Sequence, residues 1–591
     1  MLSFIKRNYA FFLFAAAVIF LFFHMFLFNY SDLLGFDAIG YTLRYQLAFT
    51  GWNNSMMLGF PVSFFDQPFP SILPSFLALI GIGSYTLPYI FSILILRILL
   101  MLSFLLFPSK NTSLKLLLGI FFALNPFTFN FFYRLYELAG WVFFVPAFIF
   151  IYSFLKEKKF NMNFLLAVLF SLACALSSSS PLFFLVLGSF LLITSFNDLK
   201  YLLVHWITAG LIAGFWFIPY LFYLNYSYVQ LQAGMELQTI GIFASGLFLS
   251  SALIYVLFKQ KEKMKKISSE RNLLLGSIIL GILILAMYFP FFQSIPVLNK
   301  PFAHAYHAFF IFVISFILLK TENLKSILPK IDSPAKKFIA LILIAGILFM
   351  APKTFNQYGQ DYPIIFEKEY VSDDGVIVSF DEAAQAVFSL PENSRYFSIP
   401  YDSSLDSYVS LQKRPVQSAL GWGFNPYVRK EIFELGLEIN KMNLSCADLI
   451  NYSNKLGITH FIALTKESQT YFNSCEITSP SNALPSIHAS PQFAGIIENG
   501  EIVEYGNTYI KLKINPPFTV LKMNYFPKWK IYPEHNFEDL SPGIKIFADK
   551  PEVIELKFEK TFIEEISFFL SLLALLALSF IVFLKKPEHF K

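Results

Sequence analysis

Apolar runs long enough to cross a bilayer recur along this chain, and lysine and arginine collect in every second gap between them. About twelve runs are legible, at roughly 9–28, 86–107, 116–133, 141–155, 163–180, 181–196, 201–224, 239–258, 272–291, 302–319, 337–352 and 563–584. The odd-numbered gaps hold Arg44, Arg134 and Lys300 and little else that is basic. The even-numbered gaps and the two ends hold Lys6, Arg7, Lys110, Lys115, Lys156, Lys158, Lys159 and Lys200, then dense clusters at 259–271 and 320–337, then Lys585 and Lys586. Basic residues flanking spans stay cytoplasmic, so the pattern predicts a multi-pass protein of the cell membrane with both termini inside. The loop after the first run and the long segment following residue 352 are then extracytoplasmic.

Composition agrees with that class. Of 591 residues, 56% are hydrophobic and only 14% charged, against about a quarter charged in soluble domains. The net charge of +5 sits mostly in the inner loops, where it meets anionic lipid, and predicts no nucleic-acid partner. The first run follows Lys6 and Arg7 but lacks a small-residue cleavage pattern, so it reads as an uncleaved anchor.

The predicted fold is a polytopic α-helical membrane protein with an extracytoplasmic α/β plus β-sandwich domain before the last span. Residues 1–352 form the transmembrane part, 353–562 the soluble domain, and 563–591 the last helix and a cytoplasmic tail. The soluble segment opens with helix signals at 381–390 and 446–456, each followed by a short apolar strand at 395–400 or 458–464. Its second half alternates with period two at 502–505, 508–514, 519–523 and 553–558, as antiparallel strands do. Cys446 and Cys475 both fall outside, where a disulfide persists, or stand as two free thiols; Cys174 lies in a span as a packing residue.

Several side chains could carry chemistry. Asp32 and Asp37 lie just beyond the first span, where headgroups meet water; a carboxylate there can take a proton from a hydroxyl or ligate a divalent cation. Asp32 also suits a helix cap before Leu33. Asp66 is a third acid of the same loop, able to join Asp37 around a cation or to cap the turn before Pro68. Residues 51–70 are too aromatic for a solvated loop and too broken by Pro and Gly for a span, so they fit an interfacial segment. Arg134 and Glu137, spaced i, i+3 at an outer helix end, either pair with each other or hold a phosphate and its counter-group. Lys300, His304 and His307 open the tenth run from outside and could hold a phosphate or a metal, or satisfy buried polar groups. Asn53, Asn225, Asn443 and Asn451 stand in Asn-x-Ser form as glycan acceptor candidates. No nucleotide loop, Ser-His-Asp set or zinc spacing is present.

The sequence Gly35-Phe-Asp37, then Trp52-Asn53, then Gly59-Phe-Pro61, running through an aromatic-Pro stretch into a span, resembles the first outer loop of YfhO-like membrane proteins. These belong to the GT-C glycosyltransferase superfamily, as do the 6-pyruvoyl-tetrahydropterin-synthase-related membrane proteins. Asn125-Pro126 with the stretch from Tyr133 to Ala139 is similar to their second outer loop. Leu176 to Pro181 stands where they have a polar break, and Asn524-Tyr-Phe-Pro-Lys-Trp529-Lys resembles a turn of their outer sandwich. Two features depart from the family: an Arg-Phe pair is missing near Lys300, and the polar break is a serine run without histidine.

The resemblance implies a transferase moving a sugar from a polyprenyl-phosphate donor to a glycan or protein acceptor on the outer face. Asp37 would be its base, and Arg134 and Glu137 would line the same cavity. It assigns no cofactor; a divalent cation is one option. Two other classes compete. A transporter or lipid flippase suits the span number, but the runs hold few ionisable groups beyond Arg97 and His205. A non-catalytic scaffold for surface glycan assembly would need Asp37 turned away from any cavity.

Overall fold

A computed structural model of the chain describes residues 86–124, 135–223, 303–321, 369–402 and 430–584 almost throughout, with shorter pieces elsewhere. After a short antiparallel pair, β1 (Trp52–Asn53) and β2 (Phe60–Pro61), the described residues form the helices α1 (Thr86–Ser103), α2 (Thr112–Leu124), α3 (Leu135–Glu157), α4 (Met162–Ala175), α5 (Ser179–Leu191), α6 (Phe196–Ile212), α7 (Gly214–Phe222) and α8 (Ala303–Thr321). Stretches of α3 and of the last helix are long and apolar enough to cross a membrane, and several shorter apolar helices accompany them.

Phenylalanine organises this bundle. Phe312 of α8 sits among Phe104, Phe122, Phe144 and Phe148, with centroid separations of 6.3, 6.4, 4.9 and 5.1 Å and mostly edge-to-face contacts. Those geometries set the positive ring edge against the negative face. All five rings are fully buried.

The basic residues gather at one end. The ammonium groups of Lys156 and Lys320 lie 5.0 and 4.2 Å from the centre of the Tyr152 ring. Lys158 pairs with Asp198 at 2.8 Å, which ties the end of α3 to the start of α6. Lys115 donates to the Leu105 carbonyl at 3.1 Å, and Phe107 and Phe316 join that corner to the end of α8. Helix ends far apart in sequence thus share one face.

The sixth and seventh elements depart from the single run expected at 201–224. The helix breaks at Ala213, freeing the Phe215 N–H and the Leu211 carbonyl. The Ser571 hydroxyl meets both, accepting at 2.6 Å and donating at 3.3 Å. A helix of the bundle is therefore completed by the C-terminal helix, as interhelical hydroxyls do where no water competes.

Beyond the bundle, strands β3 (Glu369–Val371) and β4 (Ile377–Ser379) form a hairpin leading into helix α9 (Phe380–Phe388). Ser379 and Glu382 close a capping box at its start. An α/β layer follows, with β5 (Arg395–Ile399), β6 (Gln417–Ser418), β7 (His460–Ala463) and β8 (Ser486–Ala489). The strand order is β6-β5-β7-β8; β5 runs parallel to both neighbours, and β8 is an antiparallel edge. Helices α10 (Lys430–Asn440), α11 (Cys446–Leu456) and α12 (Lys466–Ser474) belong to this layer. Ser445 caps the start of α11, and Gly457 ends it in the left-handed region at φ 65°.

The remainder is an antiparallel sandwich. One sheet has the order β10 (Gly500–Tyr505), β11 (Tyr509–Ile514), β16 (Glu552–Phe558), β13 (Trp529–Tyr532). The other runs β14 (Phe537–Asp539), β15 (Ile544–Phe547), β12 (Phe518–Leu521), β9 (Ile497–Glu498). Alternate residues such as Ile510, Leu512 and Ile514 meet Leu521, Ile544 and Ile546 in one core. The chain then enters helix α13 (Phe562–Leu584).

Tyr223, at the end of α7, is fully buried in that sandwich core, its ring 4.8 Å from Phe526. Its hydroxyl meets Thr561 Oγ1 at 2.6 Å, and Lys528 pairs with Glu564 of α13 at 2.9 Å. The sandwich is thus seated on α7 and α13. The start of α6 lies at the basic end, and the far part of α13, at Leu578 and Val582, packs with Phe154 and Phe164 towards it. The sandwich and the lysines lie at opposite ends of the bundle.

Candidate functional site

At the end away from the lysines, three segments converge. Glu137 lies in the first turn of α3, where an acid complements the helix N-terminus, and is 4% exposed. One turn on, Gly140 faces the serine break between α4 and α5. A Cβ there would stand 2.7 Å from Pro181 Cγ and 3.0 Å from Ser178 Cβ, so only glycine lets the two segments touch. Ser177 and Ser178 are both fully buried, and Ser177 Oγ returns to the Ala173 carbonyl at 2.7 Å.

The third segment is the start of α8. Phe144 packs on Phe309 and Phe312, Phe148 on Phe312 and Phe316, and Tyr152 on Phe316. These contacts climb both helices together, so α3 and α8 run parallel. Carried back at about 1.5 Å per residue, the register brings the first turns of α8, which contain His304 and His307, level with Glu137 and Gly140. Glu137, the serine break and the start of α8, separated in sequence, therefore lie at one end of the bundle.

Asp32, Asp37, Asp66, Arg134 and Lys300 lie outside the described residues, as do the side chains of His304 and His307. In the stretch after the first apolar run, Trp52 opposes Pro61, and Asn53 opposes Phe60. Among the described residues, no three His, Cys, Asp or Glu side chains gather as a metal site. Cys446 and Cys475 are joined, with S–S 2.04 Å, tying the start of α11 to the end of α12. Cys174 is a buried free thiol. The Asn451 acceptor motif is locked into α11: Ser453 is fully buried and donates to the Leu449 carbonyl at 2.5 Å.

Sequence reading missed a polar cluster beyond the carboxyl end of β5. The Tyr370 hydroxyl donates to Asp402 at 2.5 Å, and that of Tyr396 to Asp406 at 2.8 Å. Both carboxylates are almost wholly buried. Burial raises the Asp406 carboxyl to about 8; the hydroxyls of Ser418 and Tyr396 oppose this, and the Asp402 charge adds to it. Burial beside these acids pushes the Tyr370 and Tyr396 phenols up. Arg395, fully buried, donates to the Leu456 and Lys522 carbonyls at 2.8 Å and to Gln417 Oε1 at 2.8 and 3.2 Å. It clasps the α/β layer to the sandwich strand that ends at Lys522. Only the spacing Asp-x-x-x-Asp pointed here, and it is too common a pattern to stand out.

The architecture is thus an apolar helical bundle carrying an α/β layer and a sandwich at one end. No protein-family model matches the chain, and no curated protein matches it. Among solved structures, it is similar to the cryo-EM structure of arabinofuranosyltransferase AftD from Mycobacteria, at 11% identity and a TM-score of 0.42, over 77% of this chain and 35% of that one. A mutant form of the same enzyme gives 11% identity and a TM-score of 0.44, over 94% and 42%. The chain spans less than half the length of these structures.

Proposed function

We propose that the chain is an integral-membrane glycosyltransferase of GT-C architecture, moving a sugar from a polyprenyl-phosphate donor to an acceptor on the extracytoplasmic face. The reading takes residues 1–352 as the membrane bundle, 353–562 as the outer domain and 563–591 as the last span and tail, with both termini cytoplasmic. One observation supports it above the rest: Glu137, the serine break and the start of α8 converge at the end of the bundle opposite the lysines, the end on which the sandwich is seated. Basic ends belong to the cytoplasmic side, so that convergence faces outward, where a lipid carrier would present its sugar.

In the proposed reaction, Asp37 removes the acceptor hydroxyl proton. The oxygen attacks the anomeric carbon, forming the glycosidic bond as the bond to polyprenyl phosphate breaks. The phosphate leaves with the electron pair, and the anomeric configuration inverts. Arg134, Lys300 and the histidines of α8 would meet its charge, with Glu137 fixing Arg134. Asp32 and Asp66 would complete the acidic loop.

The test is Asp37→Asn in cells lacking the native gene, scored by surface glycan composition. Loss of one glycan linkage, by about 100-fold or more for a missing general base, with normal protein abundance, is the expected outcome. Unchanged glycans with the variant would remove Asp37 and this mechanism together.

A further inference from the structure

A cleft of about 720 Å³ opens between the α/β layer and the sandwich. Its volume lies within the range of about 300–1,000 Å³ usual for small-molecule sites. Its described lining falls entirely within residues 434–542. Two helices of the α/β layer form one wall. Glu434 and Glu438 stand one turn apart on α10, and Asn451, Asn454 and Lys455 share a face of α11. The opposite wall comes from the sandwich, where Glu498 and Lys522 pair at 2.6 Å.

The chemistry of these walls selects a ligand class. Carboxylates and amide oxygens accept hydrogen bonds, while amide N–H groups and ammonium groups donate them, and both kinds line the cleft. Three glutamates face two lysines, so neither sign prevails strongly. The most buried cation, Lys522, is already matched by Glu498, which leaves little to draw a phosphate. No arginine lines the cleft. Tyr452 and the aliphatic groups of Leu435 and Val520 stand among the polar groups. A molecule with hydroxyls on its edges and C–H groups on its faces satisfies both kinds of wall.

From this mixed donor, acceptor and apolar lining we infer that the cleft binds an uncharged oligosaccharide, as the acceptor subsite of the transferase proposed above, on which that role rests. Arg395 holds the two walls in register, because its guanidinium bonds the Leu456 carbonyl of one and the Lys522 carbonyl of the other. The glycan would be gripped by the outer domain while its growing end is presented to the membrane face.

The experiment uses full-length protein in lipid nanodiscs. Binding is measured for end-labelled neutral oligosaccharides of three to six pentose or hexose units, with uronic-acid oligosaccharides of equal length beside them. Expected is saturable binding of a neutral oligosaccharide, weakened tenfold or more by Asn454→Ala. Asn451→Trp, which fills the cleft from an exposed helix position, should abolish it. Unchanged thermal unfolding certifies both variants. Binding of uronates alone, of nothing in the panel, or of neutral glycans equally by both variants overturns the inference. Asp37→Asn separates the two claims. Glycan binding together with normal transfer by that variant sinks the catalytic reading and leaves the cleft; lost transfer without any wild-type binding does the reverse.

Discussion

The helical bundle and the outer α/β layer solve opposite packing problems. The bundle interior is built from rings: Phe312 touches six other buried phenylalanines, and the surrounding cluster is apolar. The α/β layer buries Arg395, Asp402, Asp406 and His488, and holds them by hydrogen bonds. In the bilayer proposed for the bundle, apolar side chains gain nothing by leaving the solvent, so helices there would be held by close packing and by a few hydroxyls such as Ser571. In water, the outer layer has hydrophobic burial to spare and can offset the desolvation of polar groups, provided each is bonded. The comparison teaches where each region is fragile: ring shape in one, polar satisfaction in the other.

The largest test of this contrast is Arg395→Met. It strands the Leu456 and Lys522 carbonyls and Gln417, and should cost about 3–5 kcal/mol, as removal of one buried polar partner does. Rapid proteolysis within residues 369–558, with the bundle intact, would show it. A stability change below about 1 kcal/mol would mean the clasp is ornamental. Phe312→Ala comes next. A large-to-small change costs about 3–5 kcal/mol in a soluble core. Without the transfer term, about 2–3 kcal/mol should remain in detergent unfolding. A loss as large as in soluble cores would break the contrast.

Asp406 gives the most specific effect, small at any one pH unit. Its folded carboxyl keeps its proton to about 8, whereas an ordinary aspartate loses it near 3.8. Between those values the folded state binds more protons than the unfolded one. This group's contribution to stability is therefore intact at low pH and is lost as pH rises through that window, by at most about 1.4 kcal/mol per pH unit. Asp406→Asn should flatten the slope, read as unfolding midpoints from pH 5 to 8. An unchanged slope would assign it to another group.

Much of the fold was legible where a local rule was strong. Helix α11 matches the expected 446–456 because Ser445 starts it and Gly457 stops it. Strands β10, β11, β12 and β16 follow the period-two alternation, within a residue or two at their ends. Helices α1 and α8 fall on apolar runs read directly from the chain. The misses have physical causes. Strand β14 is exposed along its whole length, so it carries no alternation. Strand β13 buries Trp529 alone. Helix α12 is mostly polar and is held by its cap and by Phe472. The break at Ala213 was invisible because its repair comes from Ser571, far along the chain. The site was legible only in pieces: Glu137 and the histidine pair stood out, but nothing local announced that they share a level. Arg395 and its partners lay wholly out of reach, since three distant segments compose that contact.

Tyr223 plugged into the sandwich has a mechanical consequence. The plug comes from α7 and the Lys528–Glu564 pair fastens to α13, two helices that Ser571 stitches together. The domain therefore rides on that pair like a rudder on its post. Any tilt of the domain must turn the post as well, so its motion is felt within the bundle.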